Sequence, residues 1–244
     1  MEFTNRGEEF EANFNVLDDA LRERLATTGD QRNGRLSFAE MVRVLQKHDS
    51  AVRIYADDLL EYSDLRNAIV HSRGRDGLRV IAEPVPEALA DFKAIVQELT
   101  NPQSALSLSG GAPRHFAPGD HLNQALAYMR EHDFSQVVVK DGKGPLLLLT
   151  ANGISRWLER HAGDGAVALN GRIAIADALR FEQQHSFELV NRDATAHDVR
   201  ELFQRFPASG ASRLQAVIVT ENAQPTEKAL GIVTPWDLFS GPPA

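Results

Sequence analysis

Apolar residues recur every three to four positions at Phe10, Phe14, Leu17, Leu21 and Leu25, which predicts an amphipathic helix over Phe10 to Ala26. Thr28-Gly29-Asp30 and Asn33-Gly34 supply a turn. A second helix is predicted over Leu36 to Lys47, with Ser37 as its N-cap and Glu40 completing a capping box. A third runs from about Ser50 to His71, with Val52, Ala56, Leu59 and Tyr62 on one stripe and Gly74 placed to end it. Leu78 to Ala82 reads as a short extended piece closed by Pro84 and Pro86. Pro86 suits a first helical position and opens a helix through Leu99, which Asn101-Pro102 stops. These stripes are the core of an all-helical bundle.

Past Pro102 the periodicity changes. The stretch to Gly119 reads as a connection, after which Asp120 opens a helix through Arg130. Gln136 to Lys140 is a strand, Asp141-Gly142 a hairpin turn, and Leu146 to Leu149 a buried strand ending in Thr150. A helix follows through Trp157. The order then recurs: a helix opened by Asp193, a strand over Leu214 to Thr220, and Leu230 to Val233 leading into Thr234-Pro235-Trp236-Asp237. The helix-opening acids are offset by 193 − 120 = 73 residues and the closing threonines by 234 − 150 = 84. The extra length falls in loops around Pro207 to Ala211 and Glu221 to Lys228, so the second half is an internal duplication of an α/β unit. The expected fold class is therefore α+β, a helical bundle over residues 1–101 followed by two α/β repeats, about 102–165 and 166–244.

Composition narrows the partners. A net charge of −8 argues against coating nucleic acid by bulk attraction, so any RNA contact has to be local. With no cysteine, disulfides and thiolate metal sites are excluded, and a reducing cytoplasm is compatible. The longest aliphatic run, Leu146 to Leu149, is too short to span a bilayer, and the N-terminus lacks a signal-peptide pattern. The histidines show no ligand-type pairing, so no metal is expected; His115, His121 and His132 read as solvated surface, and His161, His185 and His197 as equally unremarkable.

Two stretches carry candidate chemistry. At the end of the third helix, Asp64, Asn67 and His71 fall at i, i+3 and i+7 on one face. Arg66 lies roughly 140° around the helix from His71, and Arg73, Arg75 and Arg79 outnumber the single Asp76 nearby. Such a helix end suits a phosphate, although Arg and His at a helix terminus also simply complement its dipole. Arg66-Asn67 followed by His71 resembles the Arg-x4–6-His motif of HEPN domains, small helical bundles of which many are metal-independent ribonucleases acting as dimers. The resemblance implies that His71 takes part in acid–base chemistry on a 2′-hydroxyl, Arg66 stabilises the phosphate and Asn67 orients the site.

The second stretch is Thr234 to Leu238. A strand running into Thr-Pro delivers a helix start, where free N–H groups favour an anion, and an ionised Asp237 offers two acceptor oxygens that suit a vicinal diol. Thr-x-x-Asp is also close to a plain capping-box pattern. Asp193 with its helix, Ser212-Arg213-Leu214 before the strand, and Gly231-Ile232-Val233-Thr234-Pro235-Trp236-Asp237-Leu238 resemble a tandem CBS pair, a module that senses adenine nucleotides. The first copy offers Phe134 to Val139 and Leu149 to Ile154. The resemblance implies AMP, ADP or ATP as regulatory ligand, Asp237 on the ribose hydroxyls, Thr234 and Thr150 near the ribose and phosphate, and Arg213 meeting phosphate. In the first copy Gly153 stands where the Asp is expected, so one competent site per pair is expected. Together the two resemblances imply a cytoplasmic homodimer in which a nucleotide sensor controls an RNA-cleaving domain. A sensor without catalysis, whose helical half binds a protein or RNA, is the alternative.

Overall fold

Five aromatic rings gather the helical half. Helix α1 (Arg6–Thr27) starts at Asn5, whose side chain accepts from the Glu8 amide at 2.9 Å, and buries Phe10, Phe14, Leu17, Leu21 and Leu25 along one stripe. Phe92 of α5 (Pro86–Thr100) lies 4.6 Å, centroid to centroid, from both Phe10 and Tyr62, and Phe14 lies 4.4 Å from Phe38. Tilted contacts at these separations add to the burial of the rings themselves. Helix α2 (Phe38–Leu45) carries the capping box expected of Ser37 and Glu40. The predicted third helix is two: α3 (Ser50–Ile54) ends at Tyr55, which leaves helical geometry, and α4 (Ala56–His71) resumes. No glycine or proline marks the break, so the pattern could not disclose it. Arg24 ties the ends of this bundle together, pairing with Asp49, the N-cap of α3, and donating to the Leu99 carbonyl of α5.

The computed structural model describes residues 5–28, 36–71, 82–162, 173–205 and 213–239, without the side chains of Val70 and His71. Gly74, Arg73, Arg75, Asp76, Arg79 and the predicted extended piece at Leu78 lie outside the described residues. The chain divides into two compact units, Met1–Pro102 and Gln103–Ala244. Among the described residues no helix is long and apolar enough to cross a membrane, and no cluster of three or more His, Asp or Glu could hold a metal ion.

The second unit contains the same small sheet twice. Strand β1 (His115–Phe116) runs parallel to β2 (Gln136–Val139), which pairs antiparallel with β3 (Leu147–Thr150). Strand β4 (Phe187–Val190) runs parallel to β5 (Ala216–Val219), which pairs antiparallel with β6 (Gly231–Val233). The period of two along each central strand assigns its faces. Val137 and Val139 join a core with helices α7 (Leu122–Glu131) and α8 (Ala151–His161), and Val217 and Val219 join one with α10 (Ala196–Arg205). The alternate residues, Val138 and Leu148 against Ala216 and Ile218, form a third core between the two sheets. Burial on both faces is why these strands read as continuous apolar runs.

Four elements depart from the sequence reading. The supposed connection before Gly119 contains a one-turn helix, α6 (Ala105–Leu108), as well as β1; a second short helix, α9 (Ile175–Leu179), and β4 were not foreseen. Neither expected acid opens its helix. Asp120 accepts from the Ala117 amide at 2.8 Å while α7 begins after His121, and α10 begins after Thr195, whose amide and hydroxyl both donate to Asp198 at 2.8 Å. Two histidines are less solvated than expected. His197 is buried, and His115 is half-buried with an unpartnered, buried Nε2; its pKa is lowered by burial and by the nearby Lys228 and Lys140.

The two short helices are exchanged between repeats. Helix α6 precedes the first repeat but packs in the core of the second, and α9 precedes the second but packs in the core of the first. Backbone bonds fix the exchange: Ala105 N–H to the Ala194 carbonyl at 2.8 Å, and Ile175 N–H to the Asp120 carbonyl at 2.9 Å. The approach is close, since a Cβ on Gly231 would lie 2.4 Å from the Ser109 hydroxyl.

Candidate functional site

Both repeats end their last strand on a threonine that turns the chain into helix. In the second, β6 runs into Thr234 and a 3-10 turn over Pro235–Leu238, with the proline at the position where its missing N–H costs nothing. The Thr234 amide and hydroxyl donate to Oδ2 of Asp237 at 2.6 and 2.8 Å. The capping box foreseen as the alternative to a ligand site is therefore formed. It uses only one carboxylate oxygen: among the described residues Oδ1 of Asp237, in a half-buried setting, has no partner. A carboxylate fixed by two donors through one oxygen presents the other in a defined direction.

Arg213 precedes β5, is exposed, and has no carboxylate partner among the described residues; its carbonyl accepts from the Gln215 amide group at 3.3 Å. Trp236 and Phe239 flank the turn with 77% and 85% of their surfaces exposed.

Solved structures similar to the second unit are CBS-domain proteins. One from Agrobacterium tumefaciens is 16% identical, covering 56% of this chain and 90% of its own, with a TM-score of 0.40. One from Kribbella flavida, of unknown function, is 16% identical over 56% and 97% of the two chains, with a TM-score of 0.41. CBSX2, solved in complex with AMP, is 12% identical over 56% and 93%, with a TM-score of 0.40. No protein-family model and no curated protein matches the chain.

The first repeat holds what the sequence concealed. Thr150 is buried, caps α8 by accepting from the Gly153 amide at 3.0 Å, and donates its own amide to Oε1 of Glu182 at 2.6 Å. Its hydroxyl lies 3.1 and 3.0 Å from the two oxygens of that carboxylate. Glu182 arrives on the segment that follows α9, 32 residues along the chain. A carboxylate thus sits on Thr150 after all, although Gly153 cannot provide one. Only the exchange of α9 between repeats brings it there, and no local pattern signals that.

At the end of α4 the structure describes Arg66 and Asn67. Arg66 is half-buried, with its guanidinium carbon 5.8 Å from the centroid of the Phe14 ring, a cation–π distance. Among the described residues it has no carboxylate partner. Asn67 and Asp64 are exposed. His71 ends the helix, and its side chain lies outside the described residues.

Proposed function

We propose that residues 103–244 are a CBS pair that binds an adenine ribonucleotide at the second repeat, and that the chain is a nucleotide-sensing regulatory protein. The observation that carries this is the spare oxygen of Asp237. Two donors from Thr234 orient the carboxylate, and an acceptor-only oxygen pointing from a half-buried turn is suited to a ribose diol. Arg213, exposed and without a carboxylate partner among the described residues, is the candidate for the phosphate. The twin sheets support the same reading, because each presents a strand-to-helix threonine at an equivalent place. A ligand that binds only the folded state raises its stability by mass action, by about 2.7 kcal/mol at a hundred times Kd. Adding AMP, ADP or ATP is therefore expected to raise the melting temperature of the full chain, and deoxynucleotides to do so less. Equal effects of ribo- and deoxynucleotides would remove the ribose from the account.

A second reading concerns the helical half. Arg66, without a carboxylate partner among the described residues, and the exposed Asn67 beside it favour a local contact with an RNA phosphate, and with His71 they form a candidate metal-independent cleavage site. Positions 66 and 71 are roughly 140° apart on an ideal helix, so the proposed site draws on a second copy of the chain across a two-fold axis. The expected results are a homodimer in light scattering and cleavage of single-stranded RNA that resists a chelator and is lost in His71→Ala. Cleavage undiminished by His71→Ala removes the catalytic role; no cleavage by either protein leaves the helical half a binding module.

A further inference from the structure

We infer that Glu182 closes the first repeat against ligand by occupying the place that Asp237 holds in the second, so that the chain is built with one open site and one permanently filled. The inference rests on the nucleotide reading above for what the open site takes.

The two carboxylates make the same primary contact. Asp237 accepts from the amide and hydroxyl of Thr234, and Glu182 from the amide and hydroxyl of Thr150. They differ in what remains. Oδ1 of Asp237 has no partner among the described residues, whereas both oxygens of Glu182 are engaged, Oε2 being 3.0 Å from the Thr150 hydroxyl and 3.7 Å from Arg156 Nη2. Arg156 also donates through Nε to the Phe181 carbonyl at 2.8 Å, which pins the segment carrying Glu182 to α8. The Glu182 side chain is only 10% exposed. A diol arriving at the first repeat finds no free oxygen.

Gly153 makes the arrangement possible. A Cβ at this position would lie 1.9 Å from Oε1, 2.3 Å from Cδ and 2.8 Å from Oε2 of Glu182. These are overlaps with the carboxylate itself, so any side chain at position 153 and the carboxylate of Glu182 exclude each other. The missing Asp of the first Thr-x-x-Asp position and the incoming Glu are two halves of one exchange: a glycine opens the seat and a remote acid fills it. Burial opposes the charge there and raises the Glu182 pKa, an effect only partly countered by the Thr150 donors and Arg156. The seat therefore holds its acid by geometry, without a gain in charge solvation.

The test exchanges the two acids in the full chain. Gly153→Asp is expected to lower the melting temperature while Glu182 is present, since the two carboxylates compete for one seat. In the Glu182→Ala chain the same substitution is expected to raise it, on the order of 5 °C, because it returns an acceptor to the buried Thr150 amide. Gly153→Ala in the Glu182→Ala chain separates helix propensity from this effect and is expected to recover less than Gly153→Asp. Calorimetric titration with AMP then reads the site count: one per chain for the parent, two for the Gly153→Asp, Glu182→Ala double variant. A parent that binds two AMP, a double variant that binds one, or a Gly153→Asp effect of the same sign in both chains overturns the inference. If the parent binds no AMP, the nucleotide reading fails, and the sign reversal alone decides whether Glu182 holds the seat.

Discussion

Asp237→Ala is expected to weaken AMP binding by about 10- to 100-fold in calorimetry, the size that follows from losing a charge-assisted hydrogen bond worth about 1.5–3 kcal/mol. The substitution removes two things at once, because Oδ2 caps Thr234 while Oδ1 is left for the ribose. Losing the cap costs stability of about 1 kcal/mol, which shows in the melting temperature without ligand. The affinity loss is separable from it through the ribose. With the parent, 2′-deoxy-AMP should bind less well than AMP; with Asp237→Ala the two should bind alike, since the group that tells them apart is gone. A variant that keeps the parent's affinity and still discriminates against the deoxy form means that Asp237 is only a cap.

Phe92→Ala is expected to cost the helical unit about 3–5 kcal/mol. Phe92 is fully buried and touches Phe10, Phe14 and Tyr62 at centroid distances of 4.6, 6.2 and 4.6 Å, so it joins α1, α4 and α5. These rings are too rigid to refill the space a phenyl group leaves. Against a total of about 5–15 kcal/mol for an ordinary domain, such a loss takes much of the margin. Urea unfolding followed by far-ultraviolet circular dichroism checks it: the transition of the helices should move to distinctly lower denaturant. A change below about 1 kcal/mol would contradict the tight packing of this cluster, since truncating a core Phe in a well-packed site costs several-fold more.

Local chemistry was legible where it is written locally. The stripe Phe10 to Leu25, the Ser37–Glu40 capping box and the proline opening α5 were all readable, because each depends on residues within a turn or two. The duplication was legible for the same reason: the last strand of each repeat, β3 and β6, is a short apolar run that leads into a threonine. Weak local signals failed. Helices α6 and α9 have four and five residues, too few for a period, and owe their existence to the core of the opposite repeat. Asp120 and Asp193 look like helix openers, yet the chain places the caps one or two residues later, where His121 and Thr195 bridge to Ala174 and Ser104. Of the candidate site, Thr234 and Asp237 were readable as a pair because a capping box spans three residues. Glu182 was not, because its partner Thr150 is 32 residues away and the glycine that admits it looks, in isolation, like a lost function.

The measurement that bears most directly on the central claim is a crystal structure of the full chain grown with AMP. The account predicts one nucleotide per chain, its ribose hydroxyls within hydrogen-bond distance of Asp237 in the second repeat, and Glu182 still seated on Thr150 in the first. A nucleotide on Thr150 with Glu182 displaced, or one held without contact to Asp237, would contradict it.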